Sequence, residues 1–291
     1  MAFEWARRLW RTMTGGTQPP VVSVLRLSGA IGMPTGFRRG LSLSGAADSI
    51  NKLFADKTVA AAAIVINSPG GSPVQAALIH DRVRALAAEK GVKVLTFGED
   101  VAASGGYMLL LAGDEIYAHE NSIVGSIGVL SAGFGFQKML EKVGIERRVH
   151  TSGERKAMLD PFRPEDPRDT AHLEALQREV HESFKAMVRA RRQGKLTAEE
   201  SDLFSGAFWT GAKSKEMGLV DGLGDLRAVC RQKFGDKVEF RVVAPRRSWW
   251  SLGLLSGRKS ENFSDIESKG DWAAGLIAAV EERALWSRFG L

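Results

Sequence analysis

Cysteine is almost absent from the 291-residue chain: Cys230 stands alone, so an internal disulfide is excluded. The sequence has no CxxC pair and no Cys/His cluster, which leaves a structural zinc ion without ligands. It has no apolar run of the roughly 18 residues that a membrane-spanning helix needs. The N-terminus, MAFEWARRLWRTMTGG, lacks the uninterrupted apolar segment of a secretory signal. We therefore predict a cytoplasmic protein, and peripheral contact at the inner membrane stays open.

Charge of one sign is not in large excess either. The 40 basic and 34 acidic residues give a net charge of +6 without a basic cluster, so nucleic acid is not an expected partner. There is no Walker A lysine and no HExxH, and the glycine pair at 133 and 135 lacks the third glycine of a dinucleotide loop. Hydrophobic residues make up 44% of the chain, which predicts a globular protein.

Short apolar runs alternate with helical patterns over the first hundred residues. Apolar runs at 21–27, 59–66 and 92–97 each end in a turn that carries glycine or proline, and helical patterns at 44–56 and 73–90 lie between them. This order predicts an α/β fold with a parallel sheet covered by helices. Further strands are predicted at 115–119, 127–131, 145–150 and 238–243, and further helices at 104–112, 135–143, 167–193, 197–204, 211–217 and 224–234.

The turn after the second run reads INSPGGSP, residues 66–73. Pro69 stiffens this turn, while Gly70 and Gly71 let backbone N–H groups face outward, as a developing oxyanion requires. A tight strand-to-helix connection that binds nothing explains the same residues.

The third run leads through GEDVAA to Ser104, at the predicted start of a helix. A serine raised from the sheet at a helix start, with the N–H of Gly105 beside it, suits a nucleophile. An N-cap serine is the alternative.

A nucleophilic serine needs a base. The five histidines fall in no recognisable triad order, and Cys230 lies in a helical pattern that favours a core position. Lysine is the other option, in TSGERKAMLDPF at 151–162, where Lys156 precedes an apolar stretch. A lysine serves as a base near neutrality only where apolar neighbours disfavour its ammonium form, and such a wall is available from Met158, Leu159, Phe162 and Val129-Leu130. A surface lysine is the alternative.

SPGG, ASGGY, GSIGV at 125–129 and GERKAMLDPF occur in this order, and together they resemble the signal peptide peptidase A family, peptidase family S49. The likeness runs from about Val21 to Val243 and includes AFWTGAKSKEMGLVDGLGDL at 207–226 as a closing strand and helix. It implies a ClpP/crotonase-like fold of stacked β-β-α units. It also implies three segments: a basic N-terminal segment at 1–20, a catalytic domain at 21–244, and a linker with a C-terminal amphipathic helix at 245–291.

The resemblance also implies roles for single residues. Ser104 would be the nucleophile, Lys156 its general base, and Ser126 the serine that orients the lysine amine. Gly71, with Gly70 beside it, and Gly105 would form the oxyanion hole. Extended, mostly hydrophobic peptides such as signal-peptide remnants would be cleaved through an acyl-enzyme, with no metal or cofactor.

Assembly and two rival functions complete the expectations. By analogy with short family members, the protein would form a homo-oligomeric ring in which Ser104 of one subunit meets Lys156 of its neighbour. The rivals are a crotonase-like acyl-CoA enzyme, which shares the fold and the oxyanion glycines, and an inactive scaffold at the membrane. The face of the helix predicted at 271–289 packs on the catalytic body, on a neighbouring subunit or on a membrane surface.

Overall fold

The computed structural model describes residues 19–32, 40–243, 280 and 283–290. The predicted basic N-terminal segment, the linker and most of the predicted C-terminal helix lie outside the described residues. No helix in the described part of the chain combines the length and the apolar character that crossing a membrane requires.

Eight strands and eight helices follow one another along the described residues up to Val243. The strands are β1 Val21–Ser28, β2 Ala61–Ser68, β3 Val94–Ala103, β4 Glu115–Ala118, β5 Ile123–Gly125, β6 Phe208–Thr210, β7 Gly222–Leu223 and β8 Glu239–Val242. The helices are α1 Leu43–Leu53, α2 Pro73–Lys90, α3 Gly105–Leu110, α4 Gln137–Val143, α5 Pro167–Arg191, α6 Glu200–Leu203, α7 Gly211–Glu216 and α8 Leu226–Phe234.

The strands form one sheet in the order β6-β5-β3-β2-β1-β8, and β4 pairs with β3 and β7. Every pairing is parallel except that of β5 with β6. β2 reads AAAIVINS and is buried along almost its whole length, as expected of a central parallel strand covered on both faces. The predicted α/β class with a parallel sheet covered by helices is confirmed.

Alternate residues of the strands enter two separate cores. One face, with Leu25 and Ile64, carries the larger cluster and packs against α1, α2, α3 and α5. The other face, with Val24 and Leu95, packs against α8. Cys230 of α8 is buried in this second core, and burial raises the pKa of its thiol to about 11, so the predicted core role is confirmed.

Helix α2 shows how the local sequence fixes an element. Its N-cap is Ser72, whose side chain accepts a hydrogen bond from the N–H of Gln75, and Pro73 stands in its first turn. The helix ends at Gly91, which adopts the left-handed conformation of a C-cap with φ 64°. The predicted span of 73–90 is therefore confirmed.

Two predicted strands are wrong. Residues 127–131 and 145–150 form no strand, and the strand nearest to them is β5, which ends at Gly125. Apolar residues in both segments find no neighbouring strand, and Val129, Leu130, Ile145 and Val149 stay exposed. The stretch GEDVAA is not the predicted loop either, because β3 continues through it to Ala103.

Residues 128–166 contribute no strand to the sheet, and we call this segment the arm. Helix α5 follows the arm, and the other described residues up to Val243 are the body. No residue of the arm is buried, nor is any residue of α5 before Phe184. The arm nevertheless carries ten large apolar residues that are exposed to solvent: Val129, Leu130, Phe134, Phe136, Met139, Val143, Ile145, Val149, Leu159 and Phe162. Burial of such side chains is favourable, so this surface suits contact with another molecule.

The second half of α5 is held firmly on the body. Phe184 and Val188 enter the larger core, and Arg191 donates hydrogen bonds to the carbonyls of Leu111 and Gly113 at 2.8 and 2.7 Å. Near the C-terminus, the ring of Phe289 lies edge-on against that of Phe208 with centroids 5.0 Å apart. Part of the predicted tail thus contacts the body beside β6.

Candidate active site

The carboxyl ends of β2, β3 and β5 meet at one edge of the sheet. In the parallel register, Ser68 of β2 pairs with Ala102, and Ala103 of β3 pairs with Gly125. The turns that follow these strands therefore lie side by side, and ligand sites in parallel sheets form at this edge. The edge brings together the Gly70-Gly71 turn and both predicted serines.

Ser104 follows β3 directly and adopts a strained backbone. Its φ of 53° and ψ of −121° lie outside the regions that L-residues ordinarily use. Its N–H donates to the carbonyl of Gly125 at 2.8 Å, which ties the serine to β5. It is the one residue of 101–113 that is not buried, and its hydroxyl has no hydrogen bond to another described residue. The N-cap alternative is wrong, because the side chain caps nothing.

The Gly70-Gly71 turn lies directly against this serine. Both glycines have positive φ, 102° and 132°, which side chains disfavour. A Cβ on Gly70 would lie 2.8 Å from that of Ser104, and one on Gly71 would overlap the backbone of Ile31. No described residue accepts a hydrogen bond from the N–H of Gly71 or of Gly105. These two groups are thus available as donors to a ligand.

Ser126 occupies the matching position after β5. Its φ is 52°, its N–H donates to the carbonyl of Ala207 at 2.7 Å, and its hydroxyl is not bonded to another described residue. Only three non-glycine residues in the described part of the chain have positive φ: Ser104, Ser126 and Leu159. Backbone strain of this kind concentrates at functional sites, so its presence at both predicted serines is informative.

Lys156 lies on the arm and is exposed. Its amine forms no hydrogen bond or ion pair with a described residue, and Leu159 and Phe162 of the expected apolar wall are 43% and 37% exposed. The prediction that apolar neighbours shield this lysine is wrong for a single chain, because no residue of the arm is buried. One chain brings Ser104, Ser126 and the glycine turn together, and it leaves Lys156 exposed, with no hydrogen bond to any of them.

Ile31 is a residue that the sequence reasoning missed. Its N–H donates to the carbonyl of Gly70 and its carbonyl accepts from Ser72, both at 2.8 Å, so it braces the glycine turn on both sides. Ser68 adds a second brace by donating to the carbonyl of Gly29 at 2.7 Å. No local motif marks Ile31, since its role depends on a contact 40 residues away.

Within the described residues, no three His, Cys, Asp or Glu side chains are placed to hold a metal ion. His80 is buried on α2, where its Nδ1 lies 2.9 Å from a carboxylate oxygen of Asp81. His181 of α5 is half-buried, and its Nε2 lies 3.0 Å from the carbonyl oxygen of Ile127.

Comparisons with known proteins identify a family and several relatives. The family model described as Peptidase family S49 matches residues 87–237. A Brucella abortus protein named Na(+)/H(+) antiporter NhaA is 50% identical over 272 residues, which is 93% of this chain and 37% of that protein. Serine protease SPPA, chloroplastic, of Arabidopsis thaliana is 30% identical over 259 residues, 84% of this chain and 37% of its own length.

Further matches differ in how much of each similar protein they cover. The Synechocystis protein slr0021 is 35% identical over 199 residues, 66% of this chain and 70% of that protein. A solved 1510-N membrane-bound stomatin-specific protease is 15% identical with a TM-score of 0.49, and the match covers 79% of this chain and all of that one. The chain spans 37% of the Brucella and Arabidopsis relatives, so most of each lies outside the match.

The fold class is therefore α/β, a mostly parallel sheet with the serine and glycine turns at its carboxyl edge. The chain belongs to peptidase family S49.

Proposed function

We propose that the protein is a serine endopeptidase that uses a Ser104/Lys156 dyad and an acyl-enzyme intermediate. One observation carries this proposal: three adjacent strand ends place the Ser104 hydroxyl, the unbonded N–H groups of Gly71 and Gly105, and the Ser126 hydroxyl at one edge of the sheet. A nucleophile and oxyanion donors at one place are what acyl transfer requires.

The reaction follows from these positions. The Oγ of Ser104 attacks the carbonyl carbon of a peptide bond while the neutral amine of Lys156 takes the hydroxyl proton. The N–H groups of Gly71 and Gly105 stabilise the oxyanion, and the protonated lysine then gives the proton to the leaving amine. Water, deprotonated by the same lysine, hydrolyses the ester and regenerates Ser104. The Ser126 hydroxyl accepts a hydrogen bond from the lysine and orients it.

Lys156 reaches this site from a neighbouring copy of the chain. Its exposed position and the ten exposed apolar residues of the arm support this arrangement, because an arm packed on a second body would bury both. Burial there would supply the apolar surroundings that a lysine base needs. The expected assembly is a homo-oligomeric ring in which each site combines serine and lysine from different subunits.

The proposed substrates are extended, mostly hydrophobic peptides such as remnants of signal peptides. An extended peptide would lie beside the glycine turn and form main-chain hydrogen bonds, as strands added to a sheet do. A cytoplasmic location with peripheral contact at the inner membrane remains part of this proposal. The strained φ of Ser104 argues against an acyl-CoA enzyme and an inactive scaffold, because neither has a use for a raised serine.

Peptidase assays of single and mixed variants test the proposal. On a fluorogenic apolar peptide, Ser104→Ala and Lys156→Ala should each lose about 10⁴-fold or more in kcat, whereas Lys142→Ala, an exposed lysine of the same arm, should keep the activity of the unchanged protein. Mixing the two inactive variants under conditions of subunit exchange should restore activity. Full activity of Ser104→Ala would contradict the proposal, and coenzyme A binding in a titration would favour the acyl-CoA rival.

A further inference from the structure

The arm leaves the body at a point where two backbone segments lie close together. It begins at Gly128, directly after the buried Ile127 and two residues after Ser126. A Cβ on Gly128 would lie 3.0 Å from the Cα of Gly206, so two backbones cross here at close range. The carbonyl of Ser126 accepts a hydrogen bond from the N–H of Gly128 at 3.0 Å. Movement at this exit would therefore move the Ser126 turn as well.

The arm returns to the body along α5. His181 stands 14 residues into this helix, about 21 Å from its start at 1.5 Å per residue. The first buried residue of α5 is Phe184, less than one turn further on. His181 thus occupies the place where the helix meets the body, and its Nε2 lies 3.0 Å from the carbonyl oxygen of Ile127.

Side chains of α5 and its C-cap form hydrogen bonds with the body at two places along the helix. Arg191 and Arg192 hold the end of the helix, on the carbonyls of Leu111, Gly113 and Gly218. His181 holds the other place, beside the Ser126 turn. Within the described residues, no other side chain of α5 forms a hydrogen bond with the segment 126–128. This hydrogen bond therefore joins Ile127, just before the arm begins, to the helix that follows the arm.

We propose that His181 is a positioning residue: its Nε2–H donates to the carbonyl of Ile127 and so fixes the Ser126 turn and the direction in which the Lys156-bearing arm leaves the body. This inference rests on the proposed function, since it concerns how that site is assembled. We call this hydrogen bond the latch. His181 contacts neither Ser104 nor the oxyanion donors, so it is not a catalytic residue. Both the neutral ring protonated at Nε2 and the imidazolium can donate, so the latch does not depend on the charge of the ring.

Two substitutions of His181 and one control test the latch in the full chain. His181→Leu removes the donor, whereas His181→Gln keeps an amide N–H on a side chain of similar reach. His172→Leu makes the same change at an exposed position of the same helix. On the fluorogenic peptide, we expect His181→Leu to lower kcat about tenfold with KM changed less than about twofold, because misplacement of the Ser126 turn affects the reacting groups more than substrate binding. His181→Gln should recover most of that loss, and His172→Leu should change neither constant.

Hydrogen exchange gives a readout that does not need activity. The amides of residues 126–130 should exchange about fivefold faster in His181→Leu than in the unchanged protein, His181→Gln or His172→Leu, as expected for the loss of one hydrogen bond. Unchanged exchange and unchanged kcat in His181→Leu would overturn the latch, as would a His181→Gln variant as impaired as His181→Leu. Retained activity of Ser104→Ala would instead overturn the proposed function and, with it, the positioning role, even if exchange at 126–130 still responded.

Discussion

The body and the arm place their apolar residues in opposite ways. In the body, the sheet and its helices bury two continuous cores, and the serine half of the candidate site is already formed within one chain. In the arm, ten large apolar side chains face solvent, and Lys156 is exposed without a bonded partner among the described residues. The comparison teaches that the fold of a single chain is enough to form the serine half, whereas the proposed lysine half would need contact with another molecule.

The largest expected difference in stability is between removing a buried ion pair of the body and removing an exposed ion pair of the arm. Arg192 is 2% exposed and donates to Asp221 at 2.8 Å. Burial alone would raise the pKa of Asp221, but hydrogen bonds from Arg192 and Lys195 outweigh burial and hold the pKa below its ordinary value. Asp221→Ala leaves a buried guanidinium without its partner, so we expect a loss of about 4 kcal/mol in the free energy of unfolding, measured in urea.

The matched change on the arm is Glu146→Ala, which removes the exposed carboxylate bonded to Arg148. This variant should leave the urea midpoint unchanged, because exposed ion pairs contribute little. A loss of stability as large as that of Asp221→Ala would show that the arm is part of the folded core.

The next largest expected difference is in activity, between a substitution of Gly70 in the body and one of Gly133 in the arm. Gly70→Ala places a Cβ against Ser104 at a φ of 102°, so the turn must shift and its N–H donors move with it. We expect kcat on the fluorogenic peptide to fall about 10²- to 10³-fold, as for the loss of an oxyanion donor. Gly133→Ala, on the arm with open space around it, should keep full activity. If both variants kept full activity, the glycine turn would not be part of the site.

Truncation of an apolar side chain sharpens the comparison further. Ile64 is 1% exposed in the centre of β2, and Ile64→Ala should cost about 3 kcal/mol at every protein concentration. Met139 is 59% exposed in a single chain, so Met139→Ala should have almost no effect in dilute solution. At protein concentrations where the unchanged protein assembles, Met139→Ala should lower the assembled fraction, which sedimentation velocity would detect. A concentration-independent loss for Met139→Ala would mean that the arm packs on its own body.

The smallest effect concerns His80 of the body. Burial lowers the pKa of this imidazole, although its contact with Asp81 raises it. The unfolded chain therefore binds the proton first as the pH falls, and stability decreases below about pH 6.5 by up to about 1.4 kcal/mol per pH unit. His80→Leu should flatten this slope in thermal unfolding between pH 5 and 6.5, and the exposed His119→Leu should not. An unchanged slope in His80→Leu would assign the acid sensitivity to other groups.

The sequence predicted the body well because its signals are local. Apolar runs followed by glycine or proline located β1 and β2, and Ser72, Pro73 and Gly91 fixed the ends of α2. The predicted strands at 127–131 and 145–150 failed because apolar residues on an exposed surface can follow the same patterns as those that face a core. Ile31 and His181 escaped notice because their partners are distant in the sequence.

In the proposed assembly, the exposed position of Lys156 would bear on how hydrolysis is controlled in a cell. A subunit whose base comes from another subunit is inert when alone, so the hydrolysis rate would rise more steeply than in proportion to protein concentration while assembly is incomplete. Newly synthesised, dilute chains would then fold without threatening neighbouring polypeptides, and proteolysis would begin only where chains accumulate. Such a threshold needs no inhibitor and no propeptide.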